Sequence, residues 1–177
     1  MVNYIFYGLV TSVTGFGYSL LLFYLGFQEI DKIRSFWYVG LFVFVIYIIG
    51  LMLSIRESKK EYHEDSRKFT YGSVFKVGAL TSLFLAIGNS IFAYIHMAFI
   101  NTGLADILLQ LQIENASKEA GSPEELEAME AFFSKVYQPP ILAFSELFNA
   151  VIFGILITLI IGIFMRDKNK VDPLIME

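Results

Sequence analysis

Apolar residues run almost unbroken from Gln138 to Arg166, behind a Pro-Pro start and with a single carboxylate, Glu146, inside the run. At ~1.5 Å of rise per residue, a helix of that length crosses a hydrocarbon core of ~30 Å. Runs of the same kind occupy about residues 4–27, 36–55 and 73–100, and the last is bounded at about 140–165. The pattern predicts an all-α membrane protein: four transmembrane helices in one polytopic domain covering residues 1–177. Trp37 and Tyr38 open span two, where aromatic rings sit at the headgroup level.

The polar stretches between the spans differ in character. Residues 28–35 form a short loop, and residues 56–72 are the most charged segment, expected as a solvated loop, with or without a frayed extension of span two. The connection 101–139 predicts an amphipathic helical pair. Leu104, Ile107, Leu108 and Leu111 share one helical face, and Ser122-Pro123-Glu124-Glu125 starts a second helix with Ser as N-cap and Pro at the first position. Leu126, Met129, Phe133 and Val136 give that helix its apolar face. The pair is expected either to lie on the membrane surface or to cap the bundle. Its charge is mainly acidic, unlike helices that adhere to anionic lipid.

Small residues recur every fourth position on two spans: Gly78, Ser82, Ala86 and Ser90 on span three, and Ala150, Gly154, Thr158 and Gly162 on span four. Such rows let helix backbones approach closely, which is how transmembrane helices gain packing energy. A short similarity also relates Gly8-Leu9-Val10-Thr11-Ser12-Val13 to Gly78-Ala79-Leu80-Thr81-Ser82-Leu83. A duplicated hairpin would give it, as in the parallel repeats of some transporters; chance in glycine- and leucine-rich sequence gives it as well.

Basic residues set the expected orientation. Arg56, Lys59, Lys60, Arg67, Lys68, Arg166, Lys168 and Lys170 stand on one side, against Lys32, Arg34, Lys118 and Lys135 on the other. The positive-inside rule puts both termini and residues 56–72 in the cytoplasm and 101–139 outside. The first apolar run lacks a basic flank and a small-residue cleavage site, so it is expected to be a retained span.

Composition agrees with the class. Apolar residues make up 56% of the chain and charged residues 17%, below the ~25% of soluble domains, and the mean hydropathy is +0.61. The chain has no cysteine, which excludes disulfides, thiolate catalysis and thiolate metal sites. A net charge of −4 argues against nucleic acid as a partner. The lipid bilayer is the one partner the composition names.

Four polar residues stand out inside the apolar runs: Glu146, Asn149, Asn89 and His96. Counting 1.5 Å per residue from the outer ends puts Glu146 and Asn149 ~9 and ~14 Å deep, and His96 and Asn89 ~6 and ~16 Å deep. If the small rows of spans three and four face each other, the four form one intramembrane polar cluster. Such a cluster either handles a proton or cation, with Glu146 titrating beside His96, or serves as interhelical glue, where hydrogen bonds contribute ~0.6 kcal/mol.

Other chemistry fails on spacing. His63 beside Glu64 and Asp65 lacks distant metal partners, and Ser90 and His96 lie on opposite faces of one helix. Gly15-Phe16-Gly17 sits inside a span, without the strand-turn-helix setting of a dinucleotide loop. No catalytic set, cofactor site or metal site is expected.

With spans and loops in place, the chain resembles domain-of-unknown-function family 4199, a family of small bacterial integral membrane proteins. The residues that carry the likeness are Tyr7-Gly8-Leu9-Val10-Thr11, Tyr71-Gly72-Ser73-Val74-Phe75-Lys76-Val77-Gly78, and the Ser122-Pro123-Glu124-Glu125 insertion before a proline-led last helix. The resemblance implies four spans and an inner-membrane location, and it implies no activity. The expected role is a non-enzymatic accessory, scaffolding or self-associating subunit, with a homo-oligomer or another membrane protein as partner through the small rows. The alternative is a small ion- or proton-coupled transporter or channel component that uses Glu146 within an oligomer.

Overall fold

The computed structural model describes residues 3–167, and every described element is helical. In chain order these are α1 (Asn3–Tyr24), α2 (Ile30–Ser35), α3 (Trp37–Gly40), α4 (Phe42–Glu64) and α5 (Tyr71–Ile95). A π-helical turn, His96–Ile100, extends α5; α6 (Leu104–Glu119), α7 (Pro123–Val136) and α8 (Pro139–Met165) follow. Four stretches are long and apolar enough to cross a membrane: Asn3–Tyr24, Trp37–Glu64, Tyr71–Ile100 and Pro139–Met165. Their large apolar side chains point outward as often as inward. Phe148, Ile152, Leu156, Ile160 and Ile163 of α8 are all exposed, as a lipid-facing surface requires.

Helix α5 is the centre of the bundle and packs against α1, α4 and α8. Its contact with α8 is a ladder of small residues. Gly162 lies against the Tyr71 ring, Gly78 against Thr158, and Gly154 against Ser82. Ala86 and Ala150 then share a buried cluster, and Ser90 Oγ donates to the Ala143 carbonyl at 2.7 Å. From Gly78 to Ala86, each step of four along α5 meets a step of four back along α8, from Thr158 to Ala150. A Cβ at Gly78 would overlap the Thr158 side chain, and one at Gly154 would overlap Ser82. The two hydroxyls that face the glycines are satisfied within their own helices: Ser82 Oγ donates to Gly78 O and Thr158 Oγ1 to Gly154 O, both at 2.7 Å. Both small rows are therefore occupied inside one chain.

Helix α1 is fastened in the same manner. Thr11 packs on Gly50 of α4 and Ser12 on Gly88 of α5, while a Cβ added at Gly8 would stand 2.8 Å from Phe84 Cβ and from the Thr81 carbonyl oxygen. In the two similar hexapeptides, then, Ser12 and Ser82 each fill the space over a glycine of a neighbouring helix. Thr11 and Thr81 both turn to α4, where Thr81 Oγ1 pairs with Ser54 Oγ at 2.7 Å.

The 56–72 segment departs from the expected loop. Helix α4 runs to Glu64, and only residues 65–70 are non-helical. The extension is held because it has partners. Asn3 Nδ2 donates to Glu61 at 2.8 Å, and Lys59 Nζ donates to Met165 O at 2.8 Å and pairs with Asp167 at 3.0 Å. His63 Nε2 also meets Asp167, at 3.0 Å, rather than gathering a metal with Glu64 and Asp65. Asp167 accepts the Phe69 amide at 2.7 Å and returns its own amide to Phe69 O at 2.9 Å. Phe69 itself is fully buried among Leu51, Ile55, Val74, Val77 and Ile161. The start of α1, the end of α4, the start of α5 and the end of α8 thus share one end of the bundle. Lys168 and Lys170, counted in the expected orientation, lie outside the described residues.

At the far end, α6 caps the bundle. Ala105 and Ala116 are buried, and Arg34 after span one pairs with Glu114. Helix α7 starts as its sequence predicts, with Ser122 Oγ accepting the Glu125 amide at 3.2 Å. Glu125 reaches back to the Gly121 amide at 2.8 Å, one residue earlier than a capping box would place it. No α7 residue is buried, and the helix packs on α6.

Two outcomes are expected from this packing. Gly154→Leu should lower stability by about 1–3 kcal/mol or more through overpacking. Gly17→Ala, where a Cβ meets nothing within 4 Å, should be neutral; thermal unfolding in one detergent compares them. Hydrogen bonds from His63, then from the Phe69 amide and Lys59, hold the Asp167 carboxyl well below its ordinary value of 3.8. Its contribution is complete above that value and lost as pH falls through it toward the folded value. The Tm difference between wild type and Asp167→Asn should therefore be constant near neutrality and shrink below about pH 4.

Candidate functional site

Between the far halves of α1, α4, α5 and α8 lies a cavity of about 290 Å³, closed from above by Leu104 and Leu108 of α6. Apolar and aromatic side chains form most of its wall, including Phe16, Leu22, Val43, Phe92 and Leu142. The polar groups that reach it are few: Tyr18, Ser19, Tyr47, Asn89, His96 and Glu146. Glu146, itself partly open to the outside of the bundle, is its one carboxylate, and no lysine or arginine lines it.

The α5–α8 ladder is what brings Asn89 and Glu146 to one place. Ser90 and Ala143 sit on that ladder, and the residues beside them turn toward the α1–α4 side. Tyr47, only 5% exposed, donates its phenol hydroxyl to Asn89 Oδ1. Gly15 on α1 gives the Tyr47 ring room to lie flat against the helix. Phe16 and Phe92 stack across the α1–α5 seam with ring centres 4.7 Å apart and planes at 7°.

His96 is 3% exposed and stands where α5 gives way to the π turn, whose wider ring is closed by Asn101 N–H donating to His96 O at 2.7 Å. Such turns frequently mark functional positions. Its Nε2 lies 2.8 Å from Gln28 Oε1, which also accepts from Asn101 Nδ2 at 2.8 Å. Gln28 Nε2 donates to the Ser19 carbonyl at 3.0 Å. A carbonyl only accepts, so this bond fixes which end of the amide faces His96 and makes His96 Nε2 the donor. His96 Nδ1 is left as the one buried side-chain polar atom without a partner among the described residues. The ring is braced edge-on by Phe23, at 5.8 Å, and by Phe16, at 6.3 Å.

Of the four polar residues singled out in the sequence, Asn89, His96 and Glu146 line this one cavity, whereas Asn149 does not and is exposed. Asn149 is three residues beyond Glu146 on α8, and the α5–α8 register turns that position outward. Two residues that the sequence did not single out complete the site. Tyr47 sits inside an apolar run, and Gln28 reads as the first residue of a polar loop. Neither carries a spacing signal, since their roles arise from contacts over more than sixty and about forty residues, respectively, for Gln28–His96 and Tyr47–Asn89. No group of three or more His, Asp and Glu side chains is placed to hold a metal among the described residues. Ser90, bonded to Ala143 O, and His96, bonded to Gln28, make no nucleophile–base pair.

These features define a four-span α-helical membrane protein with a small, mainly apolar cavity that carries one carboxylate. The chain belongs to the family described as "Protein of unknown function (DUF4199)", which it matches over residues 6–167. No curated protein and no solved structure matches it.

The hydrogen-bond chain from Ser19 through Gln28 to His96 and Asn101 predicts a clear contrast. Gln28→Ala strands two buried donors and should cost about 1–3 kcal/mol. Asn149→Ala, at an exposed position, should stay within about 0.5 kcal/mol of wild type. Chemical unfolding in one detergent, followed by circular dichroism, would compare the two.

Proposed function

We propose that the chain is a non-enzymatic, multi-pass protein of the bacterial inner membrane that binds a proton or a cation at Glu146, as a small transporter or channel component. The observation that carries this reading is the convergence of Glu146, Asn89, Tyr47 and His96 on one cavity in the half of the bundle away from the termini. A carboxylate at membrane depth is costly unless a proton, a cation or a partner neutralises it, and no lysine or arginine lines the cavity. The basic residues near the α4–α5 connection favour an orientation with both termini cytoplasmic, so the cavity would lie in the outer half.

The accessory or self-associating role loses its main support, because the rows that would join subunits are filled by each other within the chain. Four spans are few for a pathway in one copy, so oligomerisation would rest on other faces. No catalytic set recommends an enzyme.

The test is flux through proteoliposomes containing a trapped pH-sensitive dye, under an imposed potassium gradient and with sodium or potassium as the external cation. Glu146→Gln should abolish the protein-dependent signal while leaving Tm unchanged. Wild-type flux in that variant, or no protein-dependent flux at all, would remove the reading.

A further inference from the structure

The cavity also constrains the chemistry of its ligand, given the binding role proposed for Glu146, on which this inference rests. An inorganic cation stripped of water needs about six or more oxygen ligands when divalent. Here one carboxylate and a few neutral oxygens stand among apolar walls, and no three acidic or histidine side chains converge among the described residues. At about 290 Å³ the cavity is also far roomier than a bare ion requires, and falls at the lower limit of small-molecule pockets, ~300 Å³.

The polar atoms it offers are biased toward acceptors. Glu146 supplies an anionic acceptor. His96 contributes to the wall with its Nε2 committed to Gln28 and its Nδ1 without accessible surface, so neither nitrogen is offered to a ligand. The stacked faces of Phe16 and Phe92, with the ring of Tyr47, supply the electron-rich surface that attracts a cationic head while burying hydrocarbon.

We propose that the cavity binds a small organic ammonium ion, its charge paired with Glu146 and its hydrocarbon part against Phe16 and Phe92. Each requirement excludes a simpler ligand. A neutral alcohol of the same shape lacks the charge for Glu146, and tetramethylammonium lacks the chain for Phe16 and Phe92.

Isothermal titration of the full chain in lipid nanodiscs with n-hexylammonium, tetramethylammonium and hexan-1-ol tests this, with empty nanodiscs subtracted for partition into lipid. Hexylammonium should bind saturably. The other two should bind about tenfold or more weakly, the usual consequence of losing a bond to a charged group or of burying less hydrocarbon. Glu146→Gln should weaken hexylammonium by a similar factor, and Leu108→Trp, which fills the cavity and leaves the carboxylate in place, should also abolish binding. Gly17→Ala should bind as wild type. Hexan-1-ol binding as tightly as hexylammonium would overturn the role of charge, and equal binding of tetramethylammonium would overturn the role of the Phe16 and Phe92 wall. If no ammonium ion binds but Glu146→Gln still abolishes proton or potassium flux, the organic ligand is ruled out and the proton or cation role of Glu146 stands. If Glu146→Gln alters neither flux nor binding, both fail.

Discussion

Inside a bilayer the hydrocarbon outside a helix is as apolar as the side chains on it, so burial alone does not draw helices together. What holds this bundle is close approach at the α5–α8 contact, where Gly78 receives Thr158 and Gly154 receives Ser82. Dispersion is individually weak and grows only with the number of atoms in contact, so the contact depends on having no Cβ at those two positions. Helix α1 repeats the device, with Ser12 over Gly88 and Thr11 over Gly50. With α5 in contact with three other spans, the positions of Asn89 and His96 on α5, Glu146 on α8 and Tyr47 on α4 are all set by these few glycine contacts.

The two ends of the bundle are finished differently. Near the termini, Asp167 gathers the Phe69 amide, His63 and Lys59 onto the end of α8, above a core sealed by Phe69. At the far end the helices part and α6 lies across the gap, so that space remains between them. A packed end and an open end give the molecule polarity along the membrane normal, with the polar side chains of the cavity at the open one.

Much of this was legible in the sequence because membrane helices are constrained by length and by one-sided packing. The apolar runs mark the four spans, and the every-fourth-residue rows on spans three and four mark the faces that meet. Three of the four intramembrane polar residues were legible as a group for the same reason, since the ladder register follows from the rows. Asn149 was not, because depth was readable but rotation about α8 was not. The length of α4 was hidden by charge: Lys59 and His63 read as solvated residues until the partner, Asp167, is known to lie beside them. The Gly8, Thr11, Ser12 and Gly15 face of α1 was overlooked because its spacing alternates between three, one and three rather than repeating every four. Gln28 and Tyr47 act only through partners far along the chain, and periodicity carries no trace of such contacts.

The way the interface hydroxyls are bonded bears on how the chain is made. Ser82, Thr81 and Thr158 each return their proton to the carbonyl four residues earlier in their own helix. Helix α8 is synthesised last, some sixty residues after the start of the α5 row that receives it. During that interval Ser82 leaves no stranded donor on the small-residue face of α5, and only Ser90, which donates to Ala143 O, gains its partner when α8 arrives. The helices can thus be inserted one at a time and joined afterwards, and their joining exchanges lipid contacts for helix contacts without breaking a hydrogen bond.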